Sequence, residues 1–166
     1  MDDIVNILSG SYKTVTFRPG DRFYWSPETR EVFYDRSVQQ PQGLWSLLHE
    51  TGHALLEHKS YQADYELIRL EVDAWEKAKA LASDLAVTID EDHVQDCIDT
   101  YRDWLYARSI CPRCGNKSLQ QANLAQYQCF NCHETWKVTP SRFCRTYRST
   151  KHAQKANFVF RLADES

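Results

Sequence analysis

The sequence has 166 residues, a length that is enough for one modest domain and a small second module. Its formal net charge is −3. No apolar run approaches the roughly 18 residues that a membrane span requires, so no membrane partner is predicted. The acidic N-terminus lacks the basic and apolar segments of a secretory signal, and we therefore expect a cytoplasmic protein.

Residues 12–35 are predicted to form β-structure. Residues 12–17 alternate between apolar and polar side chains, and residues 18–21 provide a turn. Residues 26–30 then separate two aromatic segments, as the loop of a hairpin would.

Three helices are predicted to follow, over residues 42–58, 63–84 and 90–108. Pro41 suits the N-terminal end of the first helix, and Asp90 is placed to cap the third. The order of three strands and three helices indicates an α+β domain.

The first predicted helix contains the segment His49-Glu50-Thr51-Gly52-His53. Because positions i and i+4 lie on one face of a helix, His49 and His53 direct their imidazoles to one point, where a zinc ion can bind. Glu50 lies beside such an ion and is placed to take a proton from water activated there. The small Gly52 lies on the same face, where another segment must approach closely.

A catalytic zinc ion needs a third protein ligand as well as one open position. On a wheel of about 100° per residue, Glu71 lies at the centre of the apolar face of the second predicted helix, whereas Asp73 and Glu76 face away. A buried carboxylate is costly unless a positive charge compensates it, which a zinc ion would do. We therefore predict Glu71 as the third ligand.

Residues 49–56 and 70–75 together resemble the gluzincin metallopeptidases and are particularly similar to the compact ImmA/IrrE type. In that type a His-Glu-x-x-His motif is followed by a Glu, and three residues later by Ala and an aromatic residue. The resemblance covers residues 20–85. It implies a zincin-like domain with a short antiparallel sheet, an active-site helix and a glutamate helix. It also implies zinc ligation by His49, His53 and Glu71, with Glu50 as the general base.

Two features depart from that type. The ImmA/IrrE proteins are often linked to a helix-turn-helix module, which is not evident here. The SprT-like proteases carry a cysteine ribbon, but they use a third His as ligand. His58 is too close to His53 for that role and His93 lies on another helix, so the SprT-like match is weaker. Tyr61, Tyr65 and His93 all remain candidates for stabilising the oxyanion of the reaction.

Four cysteines form two Cys-x-x-Cys pairs that are separated by fourteen residues. Two thiolates on each tight turn would fill a tetrahedral zinc ion and leave no open position, which predicts a structural site. Two pairs at this spacing favour a metal site over a redox dithiol. The predicted zinc ribbon spans residues 108–138, and its ligands are Cys111, Cys114, Cys129 and Cys132.

The positive charge is concentrated in the C-terminal part of the chain. Residues 1–107 contain 10 Lys/Arg and 20 Asp/Glu, whereas residues 108–166 contain 10 Lys/Arg and 3 Asp/Glu. Regularly spaced basic residues in the segment 139–166 suit the phosphate backbone of a nucleic acid. The alternatives are a solvated tail, or docking on the acidic domain. The nucleic-acid candidates are Arg142, Arg145, Arg148 and Lys151.

The sequence thus predicts two zinc ions, one catalytic in a zincin-like domain at residues 1–107 and one structural in the ribbon. The expected activity is hydrolysis of peptide bonds in a protein substrate, which the resemblance suggests is a regulatory protein. The ribbon and the basic segment would recruit the substrate or a nucleic acid. The alternative is a non-catalytic regulator that binds nucleic acid and retains the zincin fold only as a scaffold.

Overall fold

The computed structural model describes residues 1–139 and 148–150. The chain divides into two compact units, residues 1–106 and residues 107–166. The sequence placed the end of the first domain at residue 107, one residue later. The described elements make an α+β protein. Within the described part of the chain, no helix has both the length and the apolar character needed to cross a membrane.

A short N-terminal helix, α1 (Asp2–Ser11), precedes the sheet and was not anticipated from the sequence. Its acidic first turn favours the positive end of the helix dipole, and it buries Val5 and Leu8. Its apolar stripe is hard to recognise because Ile7, an equally apolar residue, is exposed to solvent.

Three short strands form a mixed sheet, which corrects the expectation of an antiparallel one. The strands β1 (Thr16–Gly20), β2 (Tyr24–Ser26) and β3 (Glu31–Asp35) are arranged in the order β1-β3-β2. The strands β2 and β3 form the predicted hairpin, but β1 pairs parallel with β3. The parallel pair arises because the chain crosses from β1 to the far edge of the sheet before it returns through the centre.

The turn expected at residues 18–21 is also misplaced, since β1 continues to Gly20. Pro19 is compatible with this strand because β1 lies at an edge of the sheet, where a missing N–H is tolerated. The strand β2 occupies the opposite edge.

Three long helices follow, close to the predicted spans. They are α2 (Gln42–Leu55), α3 (Asp64–Asp84) and α4 (Glu91–Ser109). The helix α2 ends before the predicted residue 58, and Glu57 beyond it has a φ of 53°, outside the helical region. The carboxylate of Asp90 accepts a hydrogen bond from the N–H of Asp92, as a helix cap does.

The core of the first unit places α2 between the sheet and α3. Val32 and Tyr34 of β3 are buried in one cluster with Leu47 and Leu48 of α2. On its other side α2 approaches α3 closely at Gly52, where a Cβ atom would lie 2.5 Å from the carbonyl oxygen of Ala74. Only glycine permits this approach, which brings the predicted ligands of the two helices together.

The second unit contains a small antiparallel sheet. Its strands are β4 (Gln121–Asn123), β5 (Gln126–Gln128), β6 (Thr135–Val138) and β7 (Arg148–Thr150), in that order. Tyr127 and Trp136 pair across β5 and β6, and their buried rings stack with centroids 5.4 Å apart. The strand β7 belongs to the segment that was expected to be a basic tail.

Arg108 is a buried residue of this second unit. Its guanidinium donates hydrogen bonds to the carbonyl oxygens of Leu124 and Thr139. Its own carbonyl oxygen accepts a hydrogen bond of 3.0 Å from the indole N–H of Trp136. These bonds connect the last turn of α4 to the small sheet, so Arg108 has a structural role there.

Candidate metal centres

Three side chains from α2 and α3 converge on one point. His49 and His53 lie one turn apart on α2, and Glu71 reaches them from α3. His49 Nε2 lies 3.1 Å from both His53 Nε2 and Glu71 Oε2, while His53 Nε2 lies 3.6 Å from the same carboxylate oxygen. The three predicted ligands of the first site are therefore adjacent.

The spacing of these three atoms fits a metal ion. A tetrahedral zinc ion with bonds of about 2.05 Å would hold neighbouring nitrogen and oxygen ligands about 3.3 Å apart. The observed separations of 3.1 to 3.6 Å bracket that value. Two imidazoles and one carboxylate are also a donor set that zinc accepts.

The charge of this group also favours a cation. Glu71 is only 6% exposed, whereas Asp73 and Glu76 of the same helix are exposed. Burial raises the pKa of the Glu71 carboxyl, but hydrogen bonds from His49 and His53 lower it by more, so the group is ionised. Burial lowers the pKa of His53, and Glu71 raises it above its ordinary value. A buried carboxylate that lies between two imidazoles in this way suits a metal ligand.

Glu50 lines an open cleft of about 210 Å³. Its Oε2 accepts a hydrogen bond of 2.8 Å from the backbone N–H of Trp25, on the edge strand β2. The cleft is also lined by His53 and Glu71. The rest of its lining is mainly aromatic and apolar, with one exposed lysine: Tyr24, Trp25, Pro27, His58, Lys59, Tyr61, Leu67, Leu70 and Tyr101.

The structure separates the three oxyanion candidates. Tyr61 lines the cleft, whereas Tyr65 is 49% exposed and is not part of the lining. His93 packs against the ring of Trp75, with centroids 5.8 Å apart, and is not part of the lining either. Tyr101 of α4, which the sequence did not single out for this role, lines the cleft as well.

This site is also contacted by two residues that the sequence did not mark as functional. His58 Nδ1 lies 2.9 Å from His53 Nδ1, on the side of the ring away from the metal group. The carbonyl oxygen of His58 accepts a hydrogen bond of 2.8 Å from the indole N–H of Trp25. Burial lowers the pKa of His58, and the neighbouring His53 lowers it further. A histidine five residues after His53 was visible in the sequence, but nothing in the spacing marks Trp25.

The four predicted ribbon cysteines converge in the second unit. The Sγ atoms of Cys111 and Cys132 lie 3.6 Å apart, as do those of Cys114 and Cys129. A tetrahedral zinc ion with bonds of about 2.3 Å would hold neighbouring sulfurs about 3.8 Å apart. A disulfide would require about 2.05 Å. The four sulfurs therefore form a group that could hold one metal ion without an open position.

Two turns of the same form carry these cysteines. The carbonyl oxygen of Cys111 accepts the N–H of Gly115, and that of Cys129 accepts the N–H of His133, both at 3.0 Å. Gly115 has a φ of 74° and His133 a φ of 57°. His133 thus occupies the left-handed position that Gly115 occupies in the first turn, and its exposed ring is outside the sulfur group.

Two of the four thiols have pKa values that are shifted in opposite directions. The backbone N–H of Asn116 lowers the pKa of the Cys114 thiol to about 6. The backbone N–H of Glu134 also lowers the pKa of Cys132, but desolvation and the neighbouring sulfurs raise it to about 12. Once Cys114 is a thiolate Cys132 resists ionisation, and a divalent cation would remove that resistance.

The predicted nucleic-acid contacts receive no structural support. Arg142, Arg145 and Lys151 lie outside the described residues. Arg148 is the first residue of β7, and only its backbone is described.

No protein-family model, no curated protein and no solved structure matches this chain. The resemblance to gluzincin peptidases therefore remains a prediction from two short motifs. The two groups of donor atoms are findings of the structure.

Proposed function

We propose that residues 1–106 form a zinc-dependent hydrolase of peptide bonds, and that residues 107–166 include a structural zinc ribbon. One observation carries the proposal. Glu50 lines the same cleft as His53 and Glu71, which form a group of three metal donors with His49. Three protein ligands leave a fourth position for a reactant, whereas the four ribbon cysteines leave none.

The proposed chemistry divides between a zinc ion and the protein. When bound, zinc would lower the pKa of a water molecule and polarise the carbonyl group of a peptide. Glu50 acts as the base. Its Oε2 is held by the N–H of Trp25, so Oε1 is the oxygen that takes the proton. Glu50 then returns this proton to the departing amine nitrogen.

The proposed substrate is a segment of protein in an extended conformation. The strand β2 is an edge of the sheet and contributes Tyr24 and Trp25 to the cleft, while Leu67 and Leu70 line it from α3. An edge strand can pair with an added strand, and apolar walls accommodate apolar side chains. Among the three tyrosine and histidine candidates, Tyr61 is the one we assign to the oxyanion, because it lines this cleft.

Replacement of Glu50 tests this assignment. The variant Glu50→Gln should keep zinc but reduce cleavage of an unstructured peptide mixture by about 100-fold or more, because proton transfer is lost. Product peptides are measured by mass spectrometry. Glu57→Gln provides the matched control, since this exposed carboxylate lies just beyond α2 and pairs with Arg30. Cleavage by Glu50→Gln at the wild-type rate would show that Glu50 is not the base.

For residues 107–166 we propose recruitment of the protein substrate or of a nucleic acid, in a reducing compartment such as the cytoplasm. Support comes from the excess of basic residues in the segment 108–166 and from the free thiols of the four ribbon cysteines. The competing proposal is a regulator without catalytic activity. It would be favoured if the full chain binds a single-stranded oligonucleotide with steep salt dependence and hydrolyses no peptide.

A further inference from the structure

We propose that Trp25 and His58 are positioning residues, which hold the ring of His53 and the carboxylate of Glu50 in their working orientations. The inference rests on the proposed function, since it takes His53 to be a metal ligand through Nε2. It concerns two residues outside the ligand set and outside the motif that identified the site. Four hydrogen bonds in the first unit carry it.

The first bond fixes the tautomer of His53. A neutral imidazole has one nitrogen that donates and one that accepts. When His53 Nε2 binds a metal ion, the proton lies on Nδ1, which must donate to His58 Nδ1 at 2.9 Å. His58 Nδ1 is then the acceptor, and its proton lies on Nε2. The planes of the two rings are 73° apart, so they meet through these nitrogens and not face to face.

The remaining bonds place His58 and extend the connection to Glu50. The N–H of His58 donates to the carbonyl oxygen of His53 at 3.0 Å, and its own carbonyl oxygen accepts the indole N–H of Trp25 at 2.8 Å. The backbone N–H of Trp25 donates to Glu50 Oε2, also at 2.8 Å. One residue of the edge strand therefore contacts both the proposed base and the residue that orients a ligand.

The other histidine ligand shows why such support is needed at His53. His49 is buried, and its ring lies against Trp75 with centroids 4.3 Å apart and planes 30° apart. Among the described residues, none provides a hydrogen-bond partner for His49 Nδ1. Packing can orient His49, whereas His53 lines the open cleft and needs a hydrogen bond on its far side.

The affinity of the full chain for zinc tests the role of His58. We expect His58→Phe to weaken zinc binding at the first site by about 10-fold to 100-fold, the usual effect of removing a group that supports a metal-bound histidine. His58→Asn should retain an affinity close to wild type, because the Asn oxygen can accept the same proton. Affinity is measured by competition with a chromogenic chelator, with the ribbon zinc as the internal reference. His93→Phe, a half-buried histidine outside the cleft, should bind zinc as wild type does.

Trp25 is tested by a matched pair of tryptophans. The indole N–H of Trp45 also donates to a backbone carbonyl, that of Thr88 at 3.0 Å, in the same unit. Trp25→Phe should weaken zinc binding more than Trp45→Phe does, although each variant loses one bond of the same kind. This pair replaces the His58 comparison if His58→Phe does not fold.

Several results would overturn the inference. Wild-type affinity in His58→Phe, or equal losses in His58→Asn and His58→Phe, would show that the hydrogen bond has no positioning role. Equal affinities in Trp25→Phe and Trp45→Phe would remove Trp25 from the account. If wild-type protein binds zinc only at the ribbon, the proposed function is refuted together with this inference. If wild-type protein binds zinc at both sites but the variants behave as stated above, only this inference is refuted.

Discussion

The two donor groups in this chain differ in what surrounds them. The group in the first unit consists of two imidazoles and one carboxylate, lies at a cleft and has Glu50 beside it. The group in the second unit consists of four sulfurs on two similar turns. Under the proposed function, the difference teaches that the number of ligands and the presence of an adjacent base, not the metal alone, would distinguish a reactive site from a structural one.

The two units are expected to differ in how much their folding depends on a bound metal ion. His49, His53 and Glu71 are carried by two long helices whose core is formed by other residues, among them Leu47, Leu48 and Ala78. Among the described residues of the second unit, few large side chains are buried, notably those of Tyr127 and Trp136, so we expect a metal ion on the sulfur group to provide much of the folding free energy. We therefore expect metal loss to inactivate the first unit and to unfold the second.

The largest expected effect follows replacement of Cys129, a fully buried ribbon cysteine. Cys129→Ser should unfold the second unit, because metal binding contributes about 10–16 kcal/mol to the folding of small zinc modules. The fluorescence of the buried Trp136 would report this change. Peptide hydrolysis by the first unit should persist, and Cys97→Ser, outside the sulfur group, should change neither property. A folded second unit in Cys129→Ser would contradict the account.

A smaller effect is expected at the third ligand of the first group. Glu71→Gln removes the negative charge but keeps an oxygen that can bind a metal, so zinc affinity should fall by at least about 10-fold while the fold is retained. Glu76→Gln, an exposed carboxylate on the same helix, is the control and should leave affinity unchanged. Equal affinities in the two variants, measured by chelator competition, would remove Glu71 from the ligand set.

A change in packing should have the smallest effect of the three. Gly52→Ala puts a Cβ atom 2.5 Å from a backbone oxygen of α3, which should destabilise the first unit by about 1–3 kcal/mol and weaken zinc binding. Gly10→Ala in α1 meets no atom within 4 Å and should be neutral or stabilising. Thermal unfolding measures both variants. An unchanged Tm and zinc affinity in Gly52→Ala would show that the close approach of α2 and α3 is not required.

Most of what the sequence predicted well depends on helical periodicity. The positions of His49 and His53 on one face, and of Glu71 at the centre of an apolar face, follow from the 3.6-residue repeat. In the structure these donor atoms of α2 and α3 lie together. The two Cys-x-x-Cys turns are equally local, since each ligand pair is fixed within four residues.

The features that the sequence missed depend on contacts between distant segments. The parallel pairing of β1 with β3 is a matter of chain path, which strand alternation alone does not determine. The bond between Trp25 and Glu50 joins residues far apart in sequence through a backbone N–H, which leaves no trace in residue type. The helix α1 was missed because its apolar stripe is short and exposed Ile7 obscures it.

The metal content of the full chain tests the central claim most directly. Purified wild-type protein should contain two zinc ions per chain when its metal content is measured by inductively coupled plasma mass spectrometry. The variant His49→Ala should contain one, and Cys129→Ser should lose the other. A content of one zinc ion that His49→Ala leaves unchanged would contradict the claim that His49, His53 and Glu71 form a metal site.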